Sequence, residues 1–226
     1  MQDDSRIPGW TFRKLQERYI LGFGCLFLSA MILVVLFPHW FTWALGVVFG
    51  VVFGLVLYFF RDPKRILDRD ENTFYSPADG QVTDITTVSL PELSVPEFLR
   101  IGIFMSVLDV HVQRSPVNGV VDFVSHQPGK NLPAYDQAAS VENDQIMMGI
   151  RTRSGLILVK QIAGILARKC VNYARPEEQI YTGQRYGLIK FGSRVELFLP
   201  PDVSVITAVG DKVRGGITPL AEIKNA

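Results

Sequence analysis

Chemistry along this chain starts from the stretch "YGLIKFGSRVELFLP", Tyr186 to Pro200, where the pair Gly192-Ser193 splits two runs of strand-forming residues. Glycine inside a strand weakens it and marks a bulge, a bend or a close backbone approach. A Gly-Ser step is expected about once by chance at this composition, so the pair alone reads equally as a bulge with a polar neighbour. Three histidines, His39, His111 and His126, are the imidazoles available for proton transfer. Asp79, in "SPADG", precedes Gly80, and Asp-Gly is a common turn pair. The two cysteines, Cys25 and Cys170, lie far apart, and Cys25 falls in an apolar run. Neither a disulfide framework nor a Cys-based zinc site follows.

The elements that must position these groups divide sharply in composition. From Tyr19 to Phe60 there is no Lys, Arg, Asp or Glu. Pro38-His39 splits this run into "YILGFGCLFLSAMILVVLF" and "WFTWALGVVFGVVFGLVLYFF", each close to the roughly 20 residues a bilayer core requires. The reading is a transmembrane hairpin, helices at about 19–37 and 40–60, inside an N-terminal segment 1–60. A secretory signal peptide fits poorly, because the first run is long and a second follows without a small-residue cleavage site. A buried hairpin of a soluble protein is the other alternative, but so long an uncharged run is rarely spent inside a modest core. Arg13, Lys14 and Arg18 precede the first helix, Arg61, Lys64 and Arg65 follow the second, and the turn between has no Lys or Arg. The positive-inside rule then sets both ends in the cytoplasm, at the cytoplasmic (inner) membrane. Trp10, Trp40, Trp43 and Tyr58 lie near the interfaces, where amphipathic rings prefer to sit. His39, in the extracytoplasmic turn, drops out of the catalytic candidates.

Residues 61–226 form the second unit. Its segments "QVTDITTV", "LRIGIFMSVL", "NGVVDFV", "QIMMGIR", "GLILVKQI", "YGLIKF", "RVELFLP" and "VSVITAV" are short, rich in Val and Ile, and separated by Gly, Pro, Asn and Asp. That spacing predicts a compact, mainly β (α+β) cytoplasmic domain with mostly antiparallel strands. "AGILARKCVNYA" reads equally as strand or helical turn, and the polar stretch from Pro128 to Gln145 reads as a long surface loop. Net charge is +1 with 20% charged residues, so no basic field marks a nucleic-acid partner. Mean hydropathy is +0.20, in keeping with a membrane anchor. "SPADGQVTDI" and "VGDKVRGGITPLAEI" resemble half-motifs of lipoyl and biotinyl carrier domains. A carrier would present a modifiable lysine at a hairpin tip, and no "MKM"-like tip occurs.

In order along the chain stand "SPADG" (76–80), "DVHVQRSPVNG" (109–119), "HQPGK" (126–130), "QIAG" (161–164) and "FGSR" (191–194). Together with the apolar hairpin, this series resembles the phosphatidylserine decarboxylase family in its short, membrane-hairpin form, from about Trp10 to the C-terminus. The resemblance implies a proenzyme that cleaves itself between Gly192 and Ser193 into a β chain, 1–192, and an α chain, 193–226. The two remain non-covalently associated and can assemble as homo-oligomers. Ser193 becomes a pyruvoyl group, and no metal or diffusible cofactor is required. The pyruvoyl carbonyl does what a pyridoxal cofactor does elsewhere, accepting the electrons released when carbon dioxide leaves phosphatidylserine. A substrate with acyl chains explains a domain tethered to the bilayer. Archaetidylserine, with ether tails, is an alternative substrate, and a non-catalytic carrier-like module is the alternative from another class.

The resemblance also distributes roles. His111 matches the family histidine of the decarboxylation step, and Asp79 the aspartate that orients a histidine for serine activation. Family members with a second histidine three residues after the first have there the base that activates serine. Here that position is Arg114. Either His111 takes both duties or His126 enters the site, while Arg114 offers a planar donor fork for the substrate's phosphate or carboxylate. "ENDQ" (142–145) replaces an expected arginine-bearing stretch, which bears on the headgroup contacts.

Overall fold

The uncharged run folds, in a computed structural model of the chain, as two helices, α1 (Gly9–Leu36) and α2 (Trp40–Phe59). The structure describes residues 9–65, 70–90, 97–136, 138–165, 169–189 and 192–224. α1 begins well before the apolar run because the polar stretch ahead of it is built largely of Lys, Leu, Gln, Glu and Arg, all good helix formers. Pro38 cannot extend a helix, and His39 starts the next one as its N-cap, donating its amide to the Thr42 hydroxyl at 3.1 Å. Small residues let the helices approach: a Cβ on Gly46 would lie 3.3 Å from Val34, and one on Gly50 3.2 Å from Phe27. Phe27 stacks on Phe53 with ring centroids 5.8 Å apart. Both helices are long and apolar enough to cross a membrane.

The chain divides into two compact units between Asp62 and Pro63. In the second unit the strands β1 (Thr73–Tyr75), β2 (Gly80–Val88), β3 (Phe98–Met105), β4 (Val112–Arg114) and β5 (Gly119–Gln127) come first. A single helical turn, α3 (Ala139–Glu142), precedes β6 (Gln145–Thr152), β7 (Gly155–Ala163), β8 (Cys170–Asn172) and β9 (Gln179–Ile180). β10 (Arg185–Ile189), β11 (Ser193–Leu199), β12 (Val203–Val205), β13 (Lys212–Val213) and β14 (Pro219–Ile223) complete it. An eight-stranded sheet runs β13-β2-β3-β11-β7-β6-β5-β9, and two three-stranded sheets run β4-β10-β8 and β1-β14-β12. All pairings between these strands are antiparallel, so the mainly β domain expected from the spacing of apolar segments is what forms.

Some expected strands are trimmed. "LRIGIFMSVL" leaves the sheet at Met105, because the Asp109 carboxylate accepts the Ser106 amide at 2.8 Å and closes a turn. Of "VSVITAV" only Val203–Val205 is strand. The polar loop after Pro128 contains α3, and the undecided "AGILARKCVNYA" contains β8, with residues 166–168 outside the described ones.

β11 is the strand that decides the architecture. It lies between β3 and β7 and every one of its seven residues is buried. Strand alternation sends Ser193, Val195, Leu197 and Leu199 to one face and Arg194, Glu196 and Phe198 to the other. On the second face Phe198 meets Phe98 edge-on at 6.4 Å in a core completed by Leu158. On the first, Ile101, Ile103 and Val159 are fully buried beside Leu197 and Val195.

Candidate active site

Ser193 opens β11, paired with Met105 of β3 on one side and Ala163 of β7 on the other. Its side chain has no solvent exposure, and its hydroxyl donates to the Met105 sulfur at 3.4 Å. A thioether is a weak acceptor, so the hydroxyl is oriented without being tied up. Gly192, immediately upstream, has φ of +58°, the left-handed region that side chains disfavour. A Cβ there would meet nothing within 4 Å, so backbone conformation and not space calls for glycine.

A buried polar chain leads away from Ser193. Gln113 of β4 donates to the same Met105 sulfur at 3.7 Å, and Gln161 of β7 donates to the Gln113 carbonyl oxygen at 3.0 Å and to the Val171 carbonyl at 3.1 Å. Asn172 of β8 donates to Gln161 at 3.2 Å. In the β4-β10-β8 sheet, Gln113, Gly187 and Asn172 share one row. A Cβ on Gly187 would come within 2.7 Å of the Gln161 amide nitrogen, so the glycine leaves the space that side chain fills. The small sheet thus covers the Ser193 face of the large one, and amides fill the seam because each finds a partner there.

His111, 2% exposed, stands one residue before β4. Its Nδ1 lies 2.9 Å from the Asp109 carbonyl oxygen. A carbonyl only accepts, so Nδ1 carries the hydrogen and the neutral ring's lone pair sits on Nε2. Asp79 lies elsewhere in the hydrogen-bond pattern: its carboxylate takes Arg65 at 2.7 and 2.8 Å and the Gly215 amide at 2.7 Å. Arg65 also donates to the Gly215 carbonyl. Arg114 is 1% exposed and donates to the carbonyls of Gly183 at 3.0 Å and Pro63 at 3.3 Å. Its aliphatic stem lies 3.2 Å from where a Gly216 Cβ would be, so Asp79 and Arg114 converge on the Gly215-Gly216 turn. His126 sits on β5, its side chain half exposed, with Nε2 2.8 Å from Asp144. Since β5 is three strands from β11, His126 is displaced from that strand by about 14 Å across the sheet.

The opposite face of β11 is ionic at the same end. Glu196, fully buried, accepts the Ser140 hydroxyl at 2.9 and 3.0 Å and the Arg194 guanidinium at 2.9 Å. Arg194 reaches on to Asp84 at 2.6 Å, and Arg100 joins the same carboxylate at 2.9 Å. Burial pushes the Asp84 carboxyl up, but the Thr83 hydroxyl and the Arg194 and Arg100 charges outweigh it and hold it below its ordinary value. Burial and the Asp144 carboxylate push the Cys170 thiol well up, and burial does the same to the Tyr186 phenol. Among the described residues no three His, Cys, Asp or Glu side chains gather into a metal-binding group.

Met105 lies outside the quoted motifs, Gln113 stood in the quoted "DVHVQRSPVNG" without a role, and Arg65 entered only as a basic flank of the hairpin. Gln161 stood in the quoted "QIAG" without a role. The polar pair Lys160-Gln161 inside an otherwise apolar strand was the available signal for Gln161, and none marked Met105.

Comparison with known proteins agrees with the order of motifs. Residues 52–221 match the family model described as phosphatidylserine decarboxylase. The chain is 39% identical over 197 residues to the phosphatidylserine decarboxylase proenzyme of Symbiobacterium thermophilum, covering 87% of this chain and 90% of that one. It is 40% identical over 181 residues to the proenzyme of the same name from Carboxydothermus hydrogenoformans, covering 80% and 85%.

Proposed function

This chain belongs to the phosphatidylserine decarboxylase family, and we propose that it matures by breaking its own Gly192–Ser193 bond at the head of β11. The left-handed φ of Gly192 beside a fully buried serine is the observation that carries this reading. The Ser193 hydroxyl adds to the Gly192 carbonyl carbon, and the acyl group moves from nitrogen to oxygen to give an ester. Loss of the Ser193 α-proton expels the Gly192 carboxylate and leaves dehydroalanine, which takes up water and releases ammonia to become pyruvoyl.

The residues around Ser193 fit such a group. It would occupy the buried position where the Ser193 hydroxyl donates to the weakly accepting Met105 sulfur. Once formed, the pyruvoyl supplies the electrophilic carbonyl that accepts electrons as carbon dioxide departs from the serine headgroup. His111 is the residue that takes and returns protons, at Nε2, with Nδ1 anchored by the Asp109 carbonyl. A guanidinium keeps its proton, so Arg114 cannot replace a histidine base, and both duties fall to His111. Arg114 and the Arg65–Asp79 pair hold the chain around the Gly215-Gly216 turn. His126 pairs with Asp144 outside this centre.

α1 and α2 anchor the domain as a transmembrane hairpin at the cytoplasmic membrane. The basic flanks Arg13, Lys14 and Arg18, and Arg61, Lys64 and Arg65, support a cytoplasmic catalytic face.

The intact mass of the purified chain, compared with Ser193→Ala, tests the proposal. Self-processing gives a fragment spanning residues 193–226 about 17 Da lighter than the same peptide with serine, the signature of pyruvoyl. A wild-type chain that stays full length while folded refutes it.

A further inference from the structure

The β7–β11 ladder ends with Ser193 opposite Ala163. One step further in the antiparallel register, Gly164 stands opposite Gly192. A Cβ placed on Gly164 would lie 2.2 Å from the Gly192 carbonyl oxygen and 3.2 Å from its carbonyl carbon. On its other side it would meet the Ala134 Cβ at 3.3 Å, so the loop after β5 closes the space from behind. Gly164 is not among the residues with positive φ, so its backbone accepts a side chain. The severe clash is with the carbonyl, since the Ala134 Cβ at 3.3 Å needs to give by only a few tenths of an ångström.

We propose that Gly164 is a positioning residue for self-cleavage: its missing side chain is the seat in which the scissile Gly192 carbonyl rests at the angle the Ser193 hydroxyl attacks. The inference rests on the reading of Gly192–Ser193 as the cleavage site. Two glycines face each other across the end of the ladder for different reasons. Gly192 supplies the left-handed backbone, with nothing near its own Cβ position, whereas Gly164 supplies the room. Carbon and a carbonyl oxygen approach to about 3.3 Å, so a methyl group on residue 164 must displace the carbonyl by about 1 Å. Misplacement on that scale costs about 100-fold in rate where geometry is catalysis. The seat is held by the buried Asn143, whose side-chain amide donates to the Ala163 carbonyl at 2.7 Å and the Leu132 carbonyl at 2.8 Å. That fastens the end of β7 to the loop bearing Ala134.

The test is the full chain in wild-type, Gly164→Ala, Ser193→Ala and doubly substituted forms, followed by intact mass from synthesis onward. Hydroxylamine, which cleaves esters, is added to trap the acyl-shifted species. Gly164→Ala is expected to mature about 100-fold more slowly than wild type and to yield correspondingly little hydroxylamine-cleavable ester. In the uncleavable background its thermal midpoint should stay with that of Ser193→Ala. Maturation of Gly164→Ala at the wild-type rate overturns the inference while leaving the cleavage site intact. So does slow maturation with undiminished ester, or a thermal midpoint that collapses in the Ser193→Ala background, since the glycine would then serve a later step or the fold. A wild-type chain that never cleaves overturns the reading beneath it.

Discussion

Breaking the Arg65–Asp79 clamp should loosen the domain around the Gly215-Gly216 turn in a way that can be measured as a coupling energy. The two side chains are 4% and 13% exposed, and two charge-assisted contacts of 2.7 and 2.8 Å join them. At roughly 1.5–3 kcal/mol for each hydrogen bond to a charged group, the pair falls in the range of about 3–5 kcal/mol lost when one partner of a buried ion pair is removed. For a domain of this size about 1 kcal/mol moves the midpoint by roughly 2–4 °C, so Arg65→Met or Asp79→Asn should each lower it by on the order of 10 °C. The variants belong in a Ser193→Ala background, so that chain cleavage does not alter the unfolding transition. The double variant removes both charges together and should cost about 3 kcal/mol less than the two single losses combined. Additivity within about 0.5 kcal/mol would refute the clamp. With Ser193 restored, both single variants should slow maturation alike, because each frees the same turn. An Asp79→Asn chain that stays as stable as its parent yet fails to mature would instead place the carboxylate in the proton-transfer path.

Two further outcomes follow from the shifted groups. Asp84 titrates below its ordinary value, so its contribution is present above the unfolded carboxylate pKa and is lost as pH falls through the folded one. Asp84→Asn should therefore be less stable than wild type in urea at pH 7, with the gap narrowing below pH of about 4; a gap independent of pH would show that the carboxylate charge is not what Arg194 and Arg100 hold. The Cys170 thiol is pushed up by burial and by Asp144, and is buried, so in a Cys25→Ser chain it should stay unmodified by iodoacetamide at pH 8 until denaturant is added; rapid labelling of the native domain would contradict the burial.

Local pattern was enough for much of this molecule. An uncharged run broken by Pro38 can only be two long helices, because backbone polar groups in so apolar a stretch must be satisfied within it. Short β-branched runs between Gly, Pro, Asn and Asp marked most of the large sheet, since β3, β7 and β11 bury Val, Ile, Leu and Phe on both faces and admit polar residues where partners meet them, as Arg194 meets Glu196. Gly192-Ser193 was legible only through its place in an ordered set of motifs, as the dipeptide itself carries almost no information. Where strands ended was less legible: a single carboxylate, Asp109, stops β3 three residues before its apolar residues do.

Tertiary structure alone decided which groups meet. Met105 and Ser193 are 88 residues apart in the chain, Gln113 and Gln161 48, and Asp79 and Gly215 136. Contacts of that span depend on sheet order and register, and a shift of one residue would turn Ser193 to the ionic face of β11. The same register, and nothing in the motif "QIAG", sets Gly164 against the Gly192 carbonyl. Residue types told what chemistry this chain could attempt; the pairing of β11 with β3 and β7 decided where a hydroxyl, a left-handed glycine and an empty space would coincide.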